Sequence, residues 1–167
     1  MSDAYQNHCE FGSGLLAFYT TSTALVPKET YEYARLQLDA SGNVLSLFNK
    51  AMKSDEYGSR LIWNTPYSQY IRTELTLGKT FVFGKNGGQA LAIRLLGGVG
   101  YAYGNSSTIP FEKQFYSGGA NSMRGWQARS LGPGNSKADT TFVSPRQAGD
   151  VKLEANLEYR FPMFWKL

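Results

Sequence analysis

Between Asp150 and Phe161 apolar and polar residues alternate without a slip. Val151, Leu153, Ala155, Leu157, Tyr159 and Phe161 take one set of positions, and Lys152, Glu154, Asn156, Glu158 and Arg160 take the other. A strand points successive side chains to opposite faces, so it sorts such a sequence into one oily and one polar surface. A helix would spread both sets around its circumference. Pro162 then ends the run, because it has no N–H to give to a ladder. A chain holding this segment therefore needs strand neighbours and two different environments for the two faces.

The same period recurs upstream. Leu91, Ile93, Leu95, Val99, Tyr101 and Tyr103 stand against Ala92, Arg94, Gly98 and Gly100. Ile71, Leu75, Leu77, Phe81 and Phe83 stand against Tyr70, Arg72, Glu74 and Thr76, and Ala34, Leu36 and Leu38 against Tyr33, Arg35, Gln37 and Asp39. A fifth segment ending at Thr20 is weaker and interrupted by glycine. These runs predict strands over about residues 11–20, 31–40, 70–83, 89–103 and 150–161, an all-β antiparallel meander. Between them, residues 43–53 space Val44, Leu45, Leu47, Phe48, Ala51 and Met52 more like a short helix. Composition agrees: aromatics reach 14%, glycine numbers 18, and charged residues are 18% against about 25% in an average soluble protein. That excludes a disordered tail, a coiled coil and a helical bundle.

The connections alternate in length. Residues 21–27 and the Gly84-Lys85-Asn86-Gly87-Gly88 turn are short, whereas 41–66 and 104–149 are long. Short turns at one end and long loops at the other are the habit of outer-membrane barrels, whose strands need about 9–11 residues to cross a bilayer. Tyr31, Tyr70, Tyr101 and Tyr103 near strand ends point the same way. A soluble sheet with its apolar face on a core would show the same alternation, so the pattern leaves both environments open. No apolar run is long enough for a transmembrane helix. The polar Met1-Ser2-Asp3 start predicts no signal peptide, so an outer-membrane protein would need more chain than this.

The loop 104–149 carries the chain's most specific motif. Phe111 to Trp126 reads FEKQFYSGGANSMRGW, with Gly118-Gly119 leading into Met123-Arg124-Gly125-Trp126. This stretch resembles the loop-six signature of the BamA/TamA family of outer-membrane assembly proteins, the bacterial surface antigen family. That family places an aliphatic-Arg-Gly-aromatic tetrad after a Gly-Gly-x-x-Ser/Thr stretch. Trp126 stands where Phe or Tyr is commoner. The segment 150–162 resembles the family's next strand. Residues 66–69 and 104–113 resemble the TamA-like branch, including its lipoprotein version. The likeness is strongest over 66–167 and extends to 28–65.

The resemblance implies a sixteen-stranded transmembrane barrel, of which residues 1–167 would be a partial segment. Four or five strands cannot close a barrel, since about eight are needed. It also implies an outer-membrane location and a factor that inserts or translocates other outer-membrane or surface proteins. Its partners would be membrane lipid, client outer-membrane proteins, and periplasmic or inner-membrane assembly subunits. It implies no catalytic residues and no cofactor.

In the family this loop folds back into the barrel, where its arginine meets polar groups of the lumen wall. A guanidinium held in a confined lumen needs a carboxylate, and the polar face of 150–161 offers Glu154 and Glu158 to Arg124. The family's own acidic residue would lie on a strand beyond Leu167. Gly118-Gly119 would let the backbone turn, and Gly125 would let it pass close to another element.

Other candidates carry less chemistry. His8-Cys9-Glu10 makes neither a triad nor a metal site, and one cysteine forms no disulfide framework. Glu74 near Arg72 and Asp39 near Arg35 read as lumen-facing ion pairs. Gly97-Gly98-Val99-Gly100 lacks the lysine and helix of a phosphate loop. Trp63, Trp126 and Trp165 read as interface-belt residues. The net charge of +4 is too scattered for nucleic acid. Two other functions stay open: a two-partner-secretion-type or other outer-membrane pore, and a small soluble β-sheet binding module.

Overall fold

A computed structural model describes residues 7–24, 27–55, 58–84, 88–132 and 147–162. Met1 to Ser2-Asp3, the centre of the 84–88 turn, Trp165 and Leu167 lie outside them. Its strands are β1 (Gly12–Thr20), β2 (Tyr31–Ser41), β3 (Lys53–Ser54), β4 (Arg60–Ile62), β5 (Thr65–Pro66), β6 (Tyr70–Phe83), β7 (Gln89–Ala102) and β8 (Val151–Arg160). The long strands form one five-stranded sheet in the order β1-β2-β6-β7-β8, with every pairing antiparallel. This is a meander, and among the described residues it does not close. The three short strands form a separate sheet inside the connection between β2 and β6.

The helix expected over 43–53 is shorter. Helix α1 spans Asn43–Ser46, and a 3-10 turn follows at Asn49–Ala51. The N-cap is Gly42, which has no side chain to bond the first free N–H groups. A single uncapped turn lacks the length to propagate.

Burial settles which face of the sheet meets the rest of the protein. On β6 the odd positions Ile71, Leu75, Leu77, Phe81 and Phe83 are exposed, while Thr76 and Thr80 are buried. On β8 Val151, Leu153, Leu157 and Tyr159 are exposed, and the polar Lys152, Glu154, Asn156 and Glu158 are more covered. The apolar face is thus the outer one, the reverse of a water-soluble sheet. Register makes that face continuous: Leu36, Leu75, Gly97 and Leu153 form one row, and Ala34, Leu77, Leu95 and Ala155 the next.

Aromatic residues bound this surface at both ends. Phe83, Tyr159 and Phe161 stack in series at the turn end, and Tyr101 stacks on Tyr103 at the loop end. The Phe81–Leu91 and Ile71–Tyr101 pairs lie ten positions apart along β6. At about 3.3 Å per residue and a barrel-like tilt near 40°, that spacing gives an apolar band about 25 Å tall. Near its turn-end border Lys79 pairs with Glu32 at 3.3 Å, where a long lysine reaches the interface.

The core is small and lies on the inner side. Tyr67, Tyr70, Ile109 and Phe115 are its buried apolar side chains, and two of them come from the loop after β7.

Candidate functional site

The inner face is a charged wall. Arg72 bonds Asp39 at 3.1 Å and Glu74 at 2.9 Å. Arg35 donates to Gln37, which donates to Asp39. Asp39 therefore takes its arginine from the neighbouring strand: it sits directly opposite Arg72 in the β2–β6 register. The pairing with Arg35 expected from sequence is not made, because four positions along one strand span about 13 Å.

The loop after β7 folds back over this wall. Asn105 fastens its start, accepting from Arg60 N at 2.6 Å and donating to the Arg60 and Tyr67 carbonyls. Phe115 comes next and lies on Gly98, where an added Cβ would stand 2.6 Å from its ring. Arg72 stacks on the same ring, 4.2 Å from its centroid, and Phe115 bridges to Gly149. Arg129 stacks on Phe111 and Tyr116 at 4.0 and 5.0 Å. Glu10 adds a tie from the N-terminal side, accepting from Tyr70 Oη and lying 3.1 Å from Lys113 Nζ. Cys9 bonds its backbone to Pro66 and Ser68.

The tetrad forms the tip. Gly119 N donates to Trp126 O at 2.8 Å, Arg129 N to Ser117 O at 3.0 Å, and Trp126 N to Met123 O at 3.3 Å. Gly118, Gly119 and Gly125 all have positive φ, which a side chain would oppose. A Cβ on Gly118 would meet the Gln127 backbone, whereas one on Gly125 would meet nothing within 4 Å. The close approach is thus at Gly118, and Gly125 serves the turn alone. Met123 and Trp126 are exposed.

Arg94 and Glu154 hold the tip to the wall. Arg94 Nη2 lies 2.8 Å from Glu154 Oε1 and donates to Asn156 Oδ1 at 2.9 Å and to Asn121 O at 2.5 Å. Glu154, its side chain only 6% exposed, also takes Lys152 at 3.0 Å and the Ser122 hydroxyl at 2.5 Å. Its carboxylate is filled by these three partners, and Arg124 is not among them. Arg124 instead donates to Ala120 O and approaches Glu158 at 3.8 Å, with its side chain 75% exposed. Glu158 is bonded more closely by Arg160, at 2.8 Å. A cavity of about 230 Å³ remains beneath the tip, lined by Tyr33, Arg94, Ser122, Arg124 and Glu158 among others.

Residues 63–167, from before β5 through the loop and β8, match the family model of the Omp85 superfamily domain. The chain belongs to the Omp85 superfamily. No curated protein and no solved structure gives a match. Omp85 proteins reside in the outer membrane and are assembly factors without enzymatic activity. The matched region contains the docked loop and the β6, β7 and β8 part of the wall that receives it, while β2 lies outside the match.

The Gly98 notch in this Omp85 wall makes a direct prediction. Gly98→Val would push its methyl groups into the Phe115 ring, a misfit costing about 1–3 kcal/mol. The loop should then be cut faster by added protease in the native protein, while Gly97→Ala, on the opposite face, leaves cleavage unchanged. Equal protection in Gly98→Val would show that Phe115 does not seat the loop.

Proposed function

We propose that these strands are an arc of the barrel wall of an outer-membrane factor of the TamA-like branch, the lipoprotein version included. Residues 1–167 would then be part of a larger barrel, with 104–132 folded into its lumen. The factor inserts or translocates other outer-membrane or surface proteins, and its partners are client chains, lipid and periplasmic or inner-membrane subunits. The single observation that carries this is the pairing of an outward apolar face with a family loop docked on the inward charged one. That arrangement lets a barrel keep a polar, partly filled lumen in lipid. The open sheet edges at β1 and β8 would pair with further strands of the wall.

A barrel that only conducts is the competing reading, and loop docking distinguishes the two. Native protein in vesicles should raise the insertion of an unfolded outer-membrane client several-fold over protein-free vesicles. Locking the loop to the wall by a short bifunctional maleimide across Ser122→Cys and Asn156→Cys, which line one cavity, in protein carrying Cys9→Ser, should reduce that gain. Ion flux without any gain in client insertion would favour the pore.

Arg124 belongs to this proposal as a contact to Glu158. A long, exposed pair is worth about 0.2–1 kcal/mol, so Arg124→Ala should lower loop seating and client insertion by no more than about fivefold. Wild-type behaviour in both assays would remove Arg124 from the account.

A further inference from the structure

The segment 43–51 at the loop end shows an oily side outward. Residues 43, 44, 47, 48, 50 and 51 are exposed, while 45, 46 and 49 are partly covered. The large apolar residues among them are Val44, Leu47 and Phe48, and Leu47 is 79% exposed. The covered side is anchored: Asn49 Oδ1 accepts from the hydroxyl of Tyr67, which is fully buried. This is a one-sided apolar helix turn of the kind that lies flat on lipid.

Its position agrees. Tyr103 Oη donates to Asn43 Oδ1 at 2.5 Å, and the Tyr103 ring stacks on Tyr101 at 6.2 Å. Tyr101 stands on the outward face, directly opposite Ile71. The segment is therefore continuous with the loop-end aromatic border of the apolar band. Lys50 within it and Lys53 just after it are both exposed and supply the cations that phosphate headgroups attract.

We propose that residues 43–51 form an interfacial anchor that rests in the lipid headgroup region, with Val44, Leu47 and Phe48 facing the acyl boundary and Lys50 and Lys53 facing lipid phosphates. The inference rests on the outward face of the sheet being the lipid face. It adds a lipid-binding element outside the strands, one that fixes how deep the barrel sits.

The test uses native protein carrying Cys9→Ser, in vesicles of phosphatidylglycerol and phosphatidylcholine with brominated acyl chains. Single cysteines replace Leu47, Phe48, Leu153 and Glu112 in turn, each bearing an environment-sensitive fluorophore. Leu47, Phe48 and Glu112 are exposed positions where such a change leaves packing intact. Bromine near the headgroup should quench the labels at 47 and 48 at least twofold, and iodide in water should quench them several-fold less than the label at 112. The label at 153 should respond to deeper bromine. If 153 is quenched by lipid while 47 and 48 respond to iodide alone, the anchor is overturned and the lipid face stands. If 47 and 48 are shielded from both quenchers, a protein covers the segment and the anchor is again overturned. If 153 itself is insensitive to bromine, the lipid face fails and the anchor fails with it.

Discussion

Leu153→Arg should prevent the native protein from holding a folded barrel in membranes. Leu153 is 85% exposed and stands at the end of the Leu36, Leu75, Gly97 row of the outer face. On a water-facing surface such a change stays within about 0.5 kcal/mol. On the lipid face near the bilayer midplane an arginine costs about 2–4 kcal/mol, a factor of about 30 to 1,000 in the folding equilibrium. Leu153→Met keeps the surface apolar and serves as the control. The folded fraction, read by resistance to unfolding at moderate temperature in detergent, should collapse for arginine alone. Unchanged resistance in Leu153→Arg would place that face in water.

The second large effect lies on the opposite face. Glu154→Ala removes the carboxylate shared by Arg94, Lys152 and Ser122. Two cations are then left side by side on the wall with their anion gone, and breaking a buried pair in this way costs about 3–5 kcal/mol. Arg94 is partly exposed and keeps Asn156 and the Asn121 carbonyl, so a net loss of about 2–3 kcal/mol is expected. Protease should reach the 120–130 region faster in Glu154→Ala than in Arg124→Ala, with Glu154→Gln in between because its amide oxygen still accepts from Ser122. The opposite ranking would mean that Arg124, and not the Arg94–Glu154 pair, fastens the loop.

Sequence made the strands legible because their two faces differ in chemistry, and β8 shows it best. It could not say which face turns outward, since lipid outside a lumen and water outside a core produce the same alternation. The exposure of Leu77 and Leu95 beside the burial of Thr76 and Thr80 answers that. Contacts across register were hidden as well. Arg94 sits opposite Asn156 and meets Glu154, the next inward residue of β8, only once β7 and β8 are aligned. Phe115 looked like any loop aromatic, and its seat is defined by the missing side chain of Gly98. The signals available beforehand were the glycine run Gly97-Gly98-Val99-Gly100 inside a strand and the buried-type aromatic in a polar loop. Turn glycines at 118, 119 and 125 were readable because positive φ is a local demand.

The central claim is that the odd positions of β8 face lipid and the even ones a lumen. Single cysteines along 151–160, in native protein lacking Cys9 and held in outer-membrane vesicles, test it most directly. A membrane-impermeant maleimide should spare 153, 155 and 157 and label 154, 156 and 158 once the lumen is opened by mild urea, and a lipid-borne quencher should show the inverse period. Reaction of 153 and 157 with the maleimide in intact vesicles, with no quenching from lipid, would contradict the account.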